Sequence, residues 1–248
     1  MSAPLISIIT VTYNAAPVLQ ETLDSIYALY PQDRIECIIV DGNSTDGTQD
    51  IILQQGDGIQ KFISEPDSGI YDAMNKGLAL ATGSYVWFLN AGDLAAAPSV
   101  IEAIDNDKLR ADLYYGDTRM ETPEGIDLGI RRGGVPEHLT LHDLATGMKV
   151  SHQSMLVRRT AAMKYDVQYR YVADLDWLIR LLQAGCTARK LPQVISVFRT
   201  GGASGRNWRK AMLERFHCLC RYYGILPTLF RHVMLLLRMP FAHRIHQH

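Results

Sequence analysis

The first third of the chain alternates between two hydrophobic periods. Leu5 to Val11 and Ile35 to Val40 are compact apolar runs that predict strands. Phe62 with Ile63 predicts a third, shorter strand, and Tyr85 to Leu89 a fourth. Between them the spacing changes to that of a helix. Val18, Leu23, Ile26 and Leu29 mark one helical face, and Met74, Leu78 and Leu80, supported by Ala73 and Ala81, mark another. Strands separated by helices predict an α/β fold, with a mostly parallel central sheet flanked by helices. Leu113 to Tyr115 predicts a later strand, and the glycine-rich, charged stretch from Thr118 to Gly134 a hairpin or mobile loop. Asp174 to Leu182 returns to helical spacing and stops at Gly185.

After Gly201, Gly202 and Gly205 the character of the chain changes. From Arg206 to His248 there are eight Lys/Arg residues, five of the eight histidines and one acid, Glu214. Val233 to Leu237 is apolar, is flanked by Leu229, Phe230 and Met239, and has Arg231 and Arg238 one heptad apart. This pattern fits a basic amphipathic helix lying in a membrane surface slightly better than a terminal helix packed on the domain or a partner. The expected organisation is a body over 1–205, with halves 1–115 and 116–205, and a basic helical extension over 206–248.

Composition narrows the classes. With 248 residues, 47% hydrophobic, 21% charged and a net charge of -1, the chain has ordinary globular composition and no whole-chain case for nucleic-acid binding. Cys37, Cys186, Cys218 and Cys220 form neither a disulfide framework nor a metal-binding pair of halves, so inert thiols are expected. No secretory signal and no transmembrane-length apolar run is read, which makes a cytoplasmic location the expectation.

An open parallel sheet binds ligands beyond the carboxyl ends of its strands, and polar groups collect at those positions here. Thr10, Thr12, Tyr13 and Asn14 follow the first strand, and Asp41, Gly42, Asn43, Ser44, Asp46, Gly47 and Thr48 follow the second. Asp67, Ser68 and Gly69 follow the third. These groups suit a base, ribose hydroxyls and close backbone approach, without a Walker loop or a dinucleotide fingerprint. The turn Asn90-Ala91-Gly92-Asp93 offers hard oxygen for a divalent ion that bridges phosphates, or caps the next segment. In ADLDW, Asp174 at the helix approach suits a general base, with Asp176 capping or positioning the turn; capping alone is the alternative for both. His152 and Gln153 in SHQS suit an acceptor or pyrophosphate contact, or a structural hydrogen bond. Arg199, Gly201, Gly202 and Ser204 in FRTGGAS suit a phosphate-contacting loop, or a simple reversal of the chain.

The ordered set SIITVTYN, IIVDGNSTDGT, SEPDSGIYDAMNKG and WFLNAGD, continued through SHQS, ADLDW and FRTGGAS, resembles the family 2 glycosyltransferases with the GT-A fold. Within them it resembles enzymes of bacterial capsule and colanic-acid-type exopolysaccharide assembly. The resemblance implies transfer of a sugar from a nucleotide-diphosphate donor to a hydroxyl acceptor, such as a lipid-linked glycan, usually with inversion. It makes 1–115 the nucleotide-sugar half and 116–205 the acceptor side. Asp41 would contact the nucleobase and Asp67 the nucleoside, with Thr10, Tyr13, Asn14, Asn75, Arg199, Gly202 and Ser204 completing the donor-side set. Asp93 matches the metal-binding end of the family's Asp-x-Asp motif, for Mg²⁺ or Mn²⁺, with Asn90 as a second ligand or water-positioning residue. Asp174 matches the usual base. Ala173 stands where a second acid often occurs, which leaves Asp174 alone or partly compensated by Asp176. A noncatalytic nucleotide-sugar or glycan-binding module is the competing expectation. Peripheral attachment to the cytoplasmic face of the inner membrane through the C-terminus completes the picture.

Overall fold

The computed structural model describes residues 3–200 and 207–242. The first strands pair in parallel. β1 (Ile6–Thr12) lies between β2 (Ile35–Asp41) and β4 (Tyr85–Phe88), and β3 (Lys61–Ser64) extends β2. The connections are α1 (Ala16–Leu29), α2 (Thr48–Gln54) and α3 (Ile70–Leu80). Strand alternation sends side chains to both faces of the sheet. Ile9 and Val11 of β1 join one buried cluster with Met74, Phe88 and Trp177, whereas Ile6 and Ile8 join another with Cys37, Trp87 and Ile104. This two-sided burial is why the strands read as continuous apolar runs.

The full sheet is mixed and largely parallel, in the order β3-β2-β1-β4-β8-β6-β9-β5, with β7 paired to β6. Here β5 is Leu94–Ala95, β6 Leu113–Glu121, β7 Asp127–Ile130, β8 Met155–Arg158 and β9 Ala188–Arg199. The segment from Thr118 onward is a hairpin, with β7 folding back antiparallel on β6. β8 inserts antiparallel between β4 and β6. Neither β8 nor β9 is predicted by the hydrophobic pattern. β9 reads ARKLPQVISVFR, and its proline would argue against a central strand. The chain resolves this by breaking register: Lys190 pairs with Tyr115 and Val194 with Asp117, so Pro192 falls in the irregular interval.

α4 (Val100–Asn106) covers the second face, while α5 (Leu141–Leu144) and α6 (Ala173–Gln183) lie with the first. α7 (Trp208–Tyr223) is built into the first cluster, where Cys218 and Leu219 are fully buried beside residues of α6. The Tyr223 hydroxyl donates to the Leu141 carbonyl. α8 (Ile225–Ala242) follows and packs back on α7, with His232 edge-on to Phe216 and Arg231 over the Tyr223 ring. All four cysteines are free; burial pushes the Cys37 and Cys218 thiols up to about 12.

The close approach of α3 to β1 depends on Gly77. A Cβ there would lie 2.3 Å from Cγ2 of Ile9, a contact that neither a helix nor a central strand can relieve without moving. Gly77→Ala is expected to destabilise the fold by roughly 1–3 kcal/mol in urea unfolding, the usual cost of overpacking. A loss smaller than ~0.5 kcal/mol would show that α3 can shift freely.

Candidate active site

Three loops meet at the carboxyl edge of β1, β2 and β3. Asn14, left-handed at φ 48, accepts the Thr45 N–H on its side-chain oxygen, and its own N–H donates to Ser44 Oγ. Thr48 Oγ1 and Asp46 accept the N–H groups of Ala15 and Ala16, which tie the start of α1 to the β2 loop. Asp41 is fully buried. Its carboxylate accepts the Ser44 N–H at 3.0 Å, the Ser44 hydroxyl and the Ser64 hydroxyl at 2.6 Å, so it organises the floor of this edge. Gly42 lies above it. A Cβ on Gly42 would stand 2.7 Å from Asp67 Oδ2 and 3.2 Å from Cδ2 of Tyr13, so hydrogen at this position keeps a slot open between the two. Tyr13 is 65% exposed, a free aromatic face beside that slot. Thr10 and Thr12 are buried, and their hydroxyls have no partner.

The turn after β4 carries the second feature. Asp93 is buried, and no described donor meets its carboxylate; burial pushes it up to about 7 from an ordinary 3.8, with His152 pulling the other way. Asn90 places Nδ2 3.0 Å from Nε2 of His152 and leaves its Oδ1 buried without a partner. With Nε2 as acceptor, the imidazole proton is on Nδ1, facing Asp174 Oδ2 at 3.7 Å. Asp174 in turn receives the Tyr71 hydroxyl at 3.3 Å and the Leu175 N–H at 2.9 Å on its Oδ1. Asn90, His152, Asp174 and Tyr71 therefore form one row across the mouth of the sheet. Burial, with Asp174 adding to it, holds the Tyr71 phenol well above its ordinary range, so it remains a donor.

A buried aspartate without a described donor, in one turn with the buried, partnerless Oδ1 of Asn90, fits a hard divalent cation. Among the described residues no group of three or more His, Cys, Asp or Glu side chains is arranged to hold a metal. A cation here would rest on Asp93 and Asn90 and draw its remaining ligands from substrate oxygens and water.

Other residues singled out in the sequence are engaged elsewhere. Asn75 exchanges two hydrogen bonds with the Tyr165 backbone, at 2.9 and 2.7 Å. Arg199 is paired with Glu21 and lies 3.7 Å from Glu121. Asp176 is wholly buried, with one oxygen taken by Arg180 and the other by the Tyr222 hydroxyl; it fastens α7 to α6 rather than facing the site. Ala173 lies in the apolar cluster, where a second carboxylate would be stranded. The Gln153 carbonyl accepts Trp87 Nε1 at 2.7 Å, which sets the loop that carries His152. Gly202 and Ser204 lie outside the described residues. Sequence reasoning missed Tyr71, although it stands inside SEPDSGIYDAMNKG, because a tyrosine in the first turn of an amphipathic helix reads as core. It also missed the aromatic bed below Asp174, in which Tyr165 stacks on Trp177 at 4.8 Å and Phe88 meets both rings edge-on.

Comparison with known proteins gives the family and the fold. Residues 7–163 match the model of Glycosyl transferase family 2. A PGL/p-HBAD biosynthesis glycosyltransferase of Mycobacterium bovis is 35% identical over 226 residues, covering 87% of this chain and 85% of that protein. Among solved structures, S. aureus TarS 1-349 superposes with a TM-score of 0.69 at 16% identity, covering 92% of this chain and 71% of that one. The mannosyltransferase PcManGT from Pyrobaculum calidifontis, solved with GDP-Man and Mn²⁺, gives 0.65 at 19% identity, covering 98% and 72%. The family match spans well over half the sequence and takes in the strand-edge loops, the Asn90–Asp93 turn and His152, so the chain belongs to glycosyl transferase family 2.

Proposed function

We propose that the protein moves a sugar from a nucleotide-diphosphate donor to a hydroxyl of a lipid-linked glycan during envelope or exopolysaccharide assembly, of the capsule or colanic-acid kind, with inversion at the anomeric carbon. The observation that carries this reading is the row Asn90–His152–Asp174, which joins the buried Asp93 turn to a half-buried carboxylate across a single imidazole. A binding module would have no use for a second carboxylate there. The likeness to a PGL/p-HBAD biosynthesis glycosyltransferase supports sugar transfer in a biosynthetic pathway.

On the donor side, the slot between Tyr13 and Asp67 over Gly42 suits a flat base, and Asp67 Oδ2 suits a nucleoside hydrogen-bond donor. On the acceptor side, Asp174 takes the proton of the attacking hydroxyl. The acceptor oxygen bonds to the anomeric carbon as the bond to the β-phosphate breaks, and the nucleoside diphosphate departs with the electron pair. Tyr71 and the Leu175 N–H fix the carboxylate so that its Oδ2 faces the cleft and His152. A divalent cation bound by Asp93 and Asn90 would supply electrostatic stabilisation of the charge that develops on the departing diphosphate.

In this reading the catalytic unit is not confined to the expected body over 1–205 but runs through α7, whose buried face joins the core, and α8 attaches it to the cytoplasmic face of the inner membrane. On α8, Thr228 and His232 are buried, while Leu226, Leu229, Phe230 and Val233 are exposed at 79%, 48%, 67% and 44%. That spacing is one apolar stripe on the side of the helix away from α7. Exposed Arg209 and Lys210 on α7, with the net basic extension, suit anionic headgroups. Among the described residues no helix is long and apolar enough to cross a membrane, so the expected attachment lies in the surface plane.

Asp174→Asn is expected to lower turnover ~10²–10⁴-fold while leaving thermal unfolding near normal, because it removes a general base and little packing. Near-normal turnover would exclude it as the base. Asp93 gives a pH signature in the metal-free protein. Its folded value, about 7, exceeds the ordinary 3.8, so the folded state retains a proton that the unfolded state has lost. Its stabilising contribution is therefore full below 3.8 and disappears as the pH rises through about 7. The thermal midpoint of wild type relative to Asp93→Asn should fall across that window, and Mn²⁺ should raise the wild-type midpoint most above it. A difference that stays flat with pH would remove the carboxylate from the site. For the attachment, Phe230→Glu combined with Leu226→Glu should weaken co-sedimentation with phosphatidylglycerol vesicles about tenfold or more. Unchanged binding would show that the stripe is covered by protein.

A further inference from the structure

The only acid in the basic extension has a specific employment. Glu214, on α7, accepts three consecutive backbone N–H groups: Arg170 at 2.7 Å on one oxygen, and Tyr171 at 2.6 Å with Val172 at 3.1 Å on the other. Val172 is the N-cap residue of α6 and supplies no side-chain cap of its own. The next turn of that helix begins with Ala173 and Asp174. The start of α6, and with it the carboxylate of Asp174, is thus set by a side chain from another part of the chain.

We propose that Glu214 is a positioning residue for sugar transfer, acting by clamping the backbone of 170–172 so that Asp174 is presented to His152 and Tyr71. This rests on the reading of Asp174 as the base. A carboxylate that accepts three N–H groups makes charge-assisted hydrogen bonds, stronger than those a neutral acceptor would form. It also compensates the N–H of Val172, the N-cap residue, and those of the two residues that lead into it. The clamp has a rigid mounting. Four residues further along α7, Cys218 and then Leu219 are fully buried, and Tyr222 donates to Asp176 two residues beyond Asp174. α7 therefore grips α6 on both sides of the base. The clamped segment also forms a wall: Tyr169 and Arg170 line a small cavity with Ser68, Tyr71 and Asp72, beside Asp174. A loosened backbone would disturb the acceptor side and leave the Tyr13–Gly42–Asp67 slot untouched.

The distinction from plain stabilisation is kinetic. Near-attack geometry is sensitive to about an ångström, and such a displacement costs on the order of 10²-fold in rate. Glu214→Gln preserves the volume but removes the charge and turns an NH₂ group towards backbone donors. The test compares the full-length wild type, Glu214→Gln and Glu214→Asp. Each is assayed with UDP-glucose, UDP-galactose, UDP-N-acetylglucosamine and GDP-mannose against a lipid-linked acceptor extract from a competent envelope, alongside thermal unfolding and hydrogen exchange of the 170–172 amides. The expected result for Glu214→Gln is faster exchange at those amides, a roughly tenfold to hundredfold lower kcat, and a donor KM within about twofold of wild type. Glu214→Asp, which keeps the charge on a shorter arm, should recover part of the kcat and remains informative if the glutamine variant does not fold. Loosened amides with an unchanged kcat would overturn the proposal. So would a loss in which kcat, donor KM and thermal midpoint all worsen together, since that is global damage. A wild type that transfers from none of these donors would refute the reading of the site, and the positioning role with it; an active wild type with an unaffected variant would refute the positioning role alone.

Discussion

Parallel pairing of β1 with β2 and β4 is the constraint from which the site follows. Parallel strands must all end on the same edge, so the three loops that leave them are neighbours before any side chain acts. The Asn14 loop, the Asp41 loop and the Asn90–Asp93 turn then need only short hydrogen bonds to be locked together. Asn14 with Ser44 and Thr45 provides one such lock, and Gly92 N–H to Thr22 Oγ1 at 2.9 Å provides another. The antiparallel insertion of β8 brings His152 to this edge from the other half of the chain. Trp87 holds the arriving loop by donating to the Gln153 carbonyl.

Three buried carboxylates show how environment divides labour. Asp41 and Asp176 have donors on both oxygens, and a carboxylate so surrounded is a structural node. Asp93 is buried too, and no donor among the described residues meets its carboxylate. A carboxylate in that condition is uncomfortable in either form: ionised, it lacks compensation, and neutral, it still lacks a partner. Proteins keep such groups where a ligand supplies what the fold withholds, and the partnerless Oδ1 of Asn90 beside it has the same character. The asparagine in this turn is therefore doubly used, its amide nitrogen steering His152 while its oxygen is left free.

Much of this was legible in the sequence. The strand runs, the helix faces and the polar exits were local patterns, and residues such as Asp93 and Asp174 could be singled out from them. The remainder required contacts between distant segments. β9 hides behind Pro192 and its polar residues, since its pairing is settled by the register break against β6. Asn75 and Asp176 have the right chemistry in the right neighbourhood, but partners at Tyr165 and Tyr222 claim them, and one-dimensional spacing carries no sign of either. Glu214 was visible as an isolated acid in a basic stretch; its three amide partners, more than forty residues earlier, were not.

The junction at Gly224 has a consequence for how such a protein can diverge. Its φ of 83 ends α7 and turns the chain into α8, whose outward stripe, among the described residues, is largely exposed. Changes on that stripe can accumulate, or be exchanged wholesale with another lineage, without reaching the core. Changes on α7 have no such freedom, because its buried face is shared with the helix that bears Asp174. Substitutions on the exposed face of α8 and on the buried face of α7 therefore carry different structural costs, divided at a single glycine.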